Sequence, residues 1–206
     1  MDTIITQRLR IRPMARTDLR ALQSLYGEPE LMKYITGKSR SPHETRARLK
    51  KDLRQHQEFG FGLCVVEWLD TDEVIGRCGL EPRTGRRGLE GELAWMFSEP
   101  WWGRGLATEA GAALISFGLA ELTLSRVFAK ADRRNEASIR VMRRLGMTLL
   151  AHVGDEVEYE ILPEGPQIRS SAEQVSCNLL SKPLGPTTDG PRCDGPDCAA
   201  DPKSDD

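Results

Sequence analysis

The sequence predicts a mixed α/β domain, with helices flanking a largely antiparallel sheet, followed by a segment outside that domain. Three observations predict it. Short apolar runs joined by hairpin-like turns alternate with helical patterns, as at 60–69 and 74–82 on either side of Asp70-Thr71-Asp72-Glu73. One strand pattern, Glu92-Leu93-Ala94-Trp95-Met96-Phe97, leads through a glycine turn into a buried helix pattern. From residue 163 the composition changes to seven prolines, no aromatic residue, and eight acidic against four basic side chains. Such a stretch cannot bury enough apolar surface to offset its ordering entropy, so 1–162 is expected to form the domain and 163–206 a disordered Pro-rich acidic tail.

The elements follow in order. Residues 3–13 read as a first strand with Leu9 and Ile11 on one face, and helices are expected over about 17–26 and 29–35. A longer helix runs from Ser41 or Pro42 to Gln57. Ser41 caps it, Pro42 suits the first turn, and Glu44 stands three residues after the cap. Its basic run (Arg46, Arg48, Lys50, Lys51, Arg54) reads as a solvated face. The hairpin strands 60–69 and 74–82 come next, then the loop 83–88 and a strand over 89–98. A helix over 104–120, a strand at 125–131, a helix at 136–145 with Asn135 as cap and Gly146 as stop, and strands near 147–153 and 156–162 complete the domain.

Length and composition bound the function. At 206 residues, 39% apolar and 29% charged, the chain can bury one sizeable core and hardly two. No apolar run reaches 18 residues and the N-terminus has no signal-peptide pattern, so a cytoplasmic protein without a membrane span is expected. A net charge of −2 gives no reason to expect nucleic-acid binding. Five cysteines are an odd number; Cys64 and Cys78 lie in apolar strand patterns and read as free thiols. Cys193 and Cys198 could pair or help bind metal, but zinc normally wants four ligands and no further cluster stands nearby, so no metal site is expected. His43, His56 and His152 are scattered and read as surface or loop residues.

The run Trp101-Trp102-Gly103-Arg104-Gly105-Leu106-Ala107-Thr108-Glu109-Ala110 carries the chemistry. Glycines let the backbone approach a ligand closely, and the free N–H groups and dipole of a helix N-terminus attract anions. The run lacks the Gly-Lys-Ser/Thr of a P-loop and the third small residue of a dinucleotide turn, where Thr108 stands. Taken alone, the two glycines fit a ligand-free strand-to-helix turn equally well. A second motif downstream shifts that balance: Asp132-Arg133-Arg134-Asn135-Glu136-Ala137-Ser138-Ile139-Arg140-Val141-Met142-Arg143-Arg144-Leu145-Gly146-Met147.

Together with the opening Thr6-Gln7-Arg8-Leu9-Arg10-Ile11-Arg12-Pro13, these blocks resemble the GNAT superfamily of acetyl-CoA-dependent N-acetyltransferases, in the branch that acetylates ribosomal-protein N-termini. The resemblance covers residues 3 to about 162. It implies acetyl-CoA as cosubstrate, with the pyrophosphate on the N–H groups of Gly103, Arg104, Gly105, Leu106, Ala107 and Thr108 and with Trp102 opening the cofactor loop. The pantetheine arm would lie beside Met96 and Phe97, and Asn135 would touch it or orient the helix. Glu92 stands at the family's base position, with Glu90 as a spare. Ser138 is the candidate proton donor to the leaving thiolate, because the position where many members carry a tyrosine is Met142. Trp102 stands where the family usually has Gln or Arg, which leaves phosphate binding to backbone donors.

The acceptor implied is a primary amine, most readily a protein or peptide N-terminal α-amine; a polyamine or aminoglycoside, or a catalytically silent acyl-CoA-binding module, are the alternatives. The segments expected to shape its pocket are 28–40, 83–90 and the last two strands, with Tyr34, Arg83, Arg86, Arg87, Asp155, Glu156 and Glu158. The acidic members of that set would attract a cationic amine. The sequence leaves a homodimer open.

Overall fold

A computed structural model describes residues 1–163. The expectation of a disordered tail over 163–206, together with Cys193 and Cys198, falls almost entirely outside the described residues.

Eight strands form one sheet in the order β1-β2-β3-β4-β5-β6-β8-β7. The strands are β1 (Ile4–Ile5), β2 (Leu9–Pro13), β3 (Leu63–Trp68), β4 (Val74–Gly85), β5 (Gly88–Phe97), β6 (Val127–Asp132), β7 (Thr148–Val153) and β8 (Glu156–Ile161). The helices are α1 (Leu19–Gly27), α2 (Pro29–Met32), α3 (Pro42–Phe59), α4 (Leu106–Ala120) and α5 (Glu136–Arg144). The largely antiparallel α/β architecture expected from the sequence is present.

Three boundaries differ from the sequence reading. The single strand expected over 3–13 is two, because Thr6–Arg8 turn and β1 folds back antiparallel onto β2, with Ile4 opposite Ile11. The helix expected over 29–35 stops at Met32, whose carbonyl accepts from the N–H groups of Ile35, Thr36 and Gly37. The expected loop 83–88 is mostly strand: β4 and β5 pair as far as Gly85 opposite Gly88, so Arg86 and Arg87 alone form the turn.

Two apolar layers enclose the sheet. On one side Leu80, Leu93, Leu106, Ala110, Leu114, Val127 and Met142 join the sheet to α4 and α5. On the other, Leu22, Leu25, Tyr26, Met32 and Leu49 of α1–α3 cover Leu63, Val65 and Met96. Burial of side chains of this size stabilises by about 1.5–3 kcal/mol each. The α3 N-terminus carries the expected capping box: Ser41 Oγ accepts from Glu44 N–H at 3.2 Å, and Glu44 Oε2 accepts from Ser41 N–H at 2.7 Å.

Every strand pair is antiparallel except β5 with β6. That pair has only two matched positions, Gly91 with Val127 and Glu92 with Phe128. Beyond them Leu93–Phe97 pairs with β4 alone, while β6 continues with β8. The sheet therefore forks.

Among the described residues no helix is long and apolar enough to cross a membrane, and no group of three His, Cys, Asp or Glu could hold a metal ion.

Candidate active site

Because β5 and β6 run parallel, their C-terminal ends lie at the same end of the fork, and each leads into a helix. Ligands of α/β folds collect in the crevice outside such strand ends. Here that crevice has two helix N-termini at its mouth, α4 after β5 and α5 after β6.

The turn into α4 is built on left-handed glycines. Gly103 has φ +72° and Gly105 φ +77°, the region where a Cβ is strained. A Cβ would meet nothing within 4 Å at Gly103, and only Arg8 Nη2 at 3.9 Å at Gly105. Conformation, and not crowding by the protein, therefore demands glycine here. Gly105 caps α4 without a side-chain acceptor, so the first N–H groups of the helix keep their donor capacity. Leu106 is buried, and Thr108 Oγ1 is buried with no hydrogen-bond partner among the described residues. An unpartnered hydroxyl beside unused N–H groups suits an anionic ligand such as a pyrophosphate. A groove of about 480 Å³ adjoins this turn, lined by Gln7, Gly105, Thr108, Glu109, Ala112 and Arg144.

Trp102 and Arg104 behave differently from simple phosphate donors. Trp102 is 49% exposed, yet its indole Nε1 donates to the Phe97 carbonyl at 2.6 Å, which fixes the loop to the end of β5. That bond takes up acceptor capacity on the strand end assigned to pantetheine. The Arg104 guanidinium stacks 4.9 Å over the Trp101 ring, itself packed at 4.9 Å against Trp68.

Sequence reasoning missed the group that holds the turn from behind. Glu109 accepts from Thr6 Oγ1 at 2.6 Å, from Arg8 N–H at 2.9 Å and from Arg8 Nε at 2.7 Å, while Arg8 Nη1 donates to the Arg104 carbonyl at 3.0 Å. Burial works to raise the Glu109 pKa, but the bonds from Thr6 and Arg8 outweigh it and hold the carboxyl below its usual range. The available signal was an acidic residue in the first turn of α4 with an arginine in the opening block.

Glu92 occupies the last matched position before the fork. Its carboxylate is half-buried, and Oε2 lies 2.6 Å from Arg83 Nη2. Directly opposite on β4 stands Glu81, and two like charges so placed repel. Arg83 relieves this by also reaching Glu81 Oε2 at 3.3 Å, while Arg48 of α3 binds Glu81 Oε1 at 2.5 Å and Asp52 at 2.9 Å. Burial works to raise the Glu81 pKa, yet Arg48, Arg83 and Arg77 hold it below the ordinary carboxylate value. The spare candidate Glu90 is buried and held by Arg126 Nε at 2.8 Å.

Asn135 caps α5, its Oδ1 accepting from Ser138 N–H at 3.1 Å. Ser138 is half-buried in the first turn of that helix, and Met142 is buried behind it. The turn before the cap is organised by Asp132, whose carboxylate accepts from Arg134 N–H, Nε and Nη2; those bonds pull its pKa down to about 2.

Two of the three acidic residues expected to attract a cationic amine, Glu158 and Asp155, are engaged in ion pairs. Glu158 binds Arg126 at 3.0 Å and Lys130 at 3.5 Å, and Asp155 binds Arg133 at 2.9 Å.

With the fork and its two helix N-termini described, the comparison with known proteins is decisive: the family model for the acetyltransferase (GNAT) domain matches residues 8–148. The chain belongs to the GNAT acetyltransferase family. As a GNAT protein it is similar to the uncharacterized N-acetyltransferase p20 of Bacillus licheniformis, 32% identical over 152 residues that span 70% of this chain and 82% of the relative. It is also 25% identical to the spermidine N(1)-acetyltransferase of Escherichia coli K12, over 68% of this chain and 73% of that one. Among solved structures, RimL, a ribosomal L7/L12 alpha-N-protein acetyltransferase in complex with coenzyme A, superposes with a TM-score of 0.68 over 78% of this chain and 98% of its own. At 20% identity that likeness is one of fold.

Proposed function

We propose that this GNAT domain transfers the acetyl group of acetyl-CoA to a peptide or protein N-terminal α-amine, in the manner of the RimJ/RimL-type branch. The observation that carries the cosubstrate reading is the Gly103–Thr108 turn, where two left-handed glycines, an uncapped helix start and the orphan Thr108 hydroxyl meet at the mouth of the fork. In this reading the N–H groups of Gly103 to Thr108 hold the pyrophosphate, since that of Trp102 is already donated to the Glu99 carbonyl at 3.0 Å, and the pantetheine arm runs along Met96 and Phe97 toward Asn135.

The amine must attack uncharged. An α-amine with a pKa of about 7.7–8.0 asks far less of a base than a lysine near 10.4. Glu92 receives the proton, directly or through a water, as the nitrogen bonds to the thioester carbonyl carbon. The C–S bond then breaks, and Ser138 or a water protonates the departing thiolate. Arg83 holds the Glu92 carboxylate in place.

The choice of a peptide over a polyamine rests on charge. The pocket beside the 36–40 turn presents Lys38, Arg40, Arg48 and Lys51 against the one carboxylate of Glu44, a poor surface for a polycation.

Thiol release from acetyl-CoA with a panel of short peptides, spermidine and an aminoglycoside tests the proposal. Peptides are expected to be acetylated with the highest kcat/KM. Glu92→Gln is expected to lower kcat by about 10²–10⁴-fold while leaving acetyl-CoA affinity unchanged. Tight acetyl-CoA binding with no thiol release for any acceptor would instead make the chain a silent acyl-CoA-binding module.

A further inference from the structure

The α1–α3 side of the sheet carries a chain of charged groups that acetyl transfer does not by itself require. Alternate β4 residues Arg77, Glu81 and Arg83 share one face, and their partners on β5 are Met96, Glu92 and Glu90. Arg77 is 5% exposed, and its Nε and Nη1 have no hydrogen-bond partner among the described residues. Its guanidinium lies 5.3 Å from the Tyr26 ring centroid, and that of Arg40 lies 5.0 Å from the same ring. Arg40 Nε and the Tyr26 hydroxyl are likewise buried without a partner. Buried donors left unpaired cost free energy, and several guanidinium donors gathered in one place ask for an anionic acceptor.

Beside this cluster lies a pocket of about 490 Å³, lined among others by Thr36, Lys38, Arg40, Glu44, Arg48 and Lys51. Its charge is unbalanced. Glu44 is committed to the Ser41 N–H and hydroxyl, and Arg48 to Asp52 and Glu81. Among the described residues Lys38, Arg40 and Lys51 form no ion pair, although Lys38 and Arg40 both lower the pKa of Glu44 by their charge, after the larger effect of the Ser41 bonds. The pocket also connects with the candidate base: Arg48 on its wall holds Glu81, which shares Arg83 with Glu92.

We propose that this pocket is a carboxylate subsite for the acceptor, so that the preferred substrate is a peptide with acidic side chains in the first few residues after its α-amine. The inference rests on the peptide reading of the acceptor. An extended peptide advances about 3.3 Å per residue, and in this proposal a chain whose amine lies at Glu92 follows the Arg83–Glu81–Arg48 chain of ion pairs, so that its next few side chains face the pocket that Arg48 shares with Arg40, Lys38 and Lys51. The same charge excludes polyamines.

Two measurements test it. In the first, kcat/KM is compared for a peptide with three acidic residues after the first position and for its Asn/Gln counterpart. The acidic peptide is expected to be favoured about ten-fold or more, chiefly through KM, and the ratio to collapse toward one in Lys51→Glu and Arg40→Gln. Lys51 is exposed, so its replacement leaves the fold intact. In the second, the same two peptides are N-acetylated, which removes any turnover, and their binding is followed by fluorescence anisotropy at fixed ionic strength. Tighter binding of the acidic form, lost in Lys51→Glu, supports the subsite even if no peptide is acetylated, in which case only the acceptor reading fails. Equal handling of acidic and neutral peptides in both measurements overturns the subsite. So does inorganic phosphate binding at Arg40 and Lys51 without any peptide preference, which would reassign the pocket to a small free anion.

Discussion

At the scale of single residues, Gly105 is the most demanding position. It has φ +77°, caps α4, and lies 3.9 Å, at a built Cβ, from the arginine that braces the turn. Gly105→Asp adds backbone strain and a like charge where the phosphates are proposed to lie. It is expected to weaken acetyl-CoA binding by about 100-fold or more in calorimetry, in a protein whose circular dichroism is unchanged. Gly105→Ala, which adds strain of about 1 kcal/mol without charge, is expected to cost only about five-fold. Unchanged affinity in a folded Gly105→Asp would move the cofactor site elsewhere. Glycine identity, visible in sequence, thus pointed to this turn. What sequence could not supply was the reason, since a positive φ and an open approach look the same as crowding until the backbone is seen.

At the scale of elements, Glu109 joins α4 to the β1–β2 turn through Thr6 and Arg8. Its carboxyl has a folded-state pKa below the unfolded value, so its contribution is full above the unfolded value near 4.3 and is lost as pH falls through the folded one. Glu109→Gln is expected to destabilise the domain by about 1–2 kcal/mol at pH 7, the gap between variant and parent in urea midpoints closing as the pH falls below about 4. A pH-independent gap would show that shape, and not charge, is what matters there. The helix and strand periods, the Ser41 capping box and the Asn135 cap made most elements readable from sequence, because each depends on residues a few positions apart. The β1–β2 reversal, the true length of β4 and the early end of α2 did not, since these are settled by pairing with strands and carbonyls that the local sequence does not contain. The same holds for the site. Gly105 and Asn135 carry local signatures and Glu92 is named through the family resemblance, whereas Arg8, Arg77 and Arg83 matter through partners distant in sequence.

At the scale of the molecule, the two described cysteines report on the cooperativity of the core. Cys64 and Cys78 face each other on β3 and β4, both fully buried, and burial pushes the Cys64 thiol up to about 12 and that of Cys78 higher still. Neither can form thiolate at neutral pH without opening the sheet. Mass mapping after a thiol reagent at pH 8 is therefore expected to leave both unmodified in the native protein, their labelling rate tracking global unfolding across a urea series. Fast labelling of either in the native state would reveal a local opening of β3–β4. The fork between β5 and β6 has the opposite character. Only two ladder positions, with the Ser125 N–H to Leu89 carbonyl bond just before them, join the five-strand and three-strand halves backbone to backbone, so past Glu92 the seam has no backbone pairing. A long flexible ligand bearing amide groups is, mechanically, a ninth strand laid into that seam, and its arrival should stiffen the halves against each other as well as position an acetyl group.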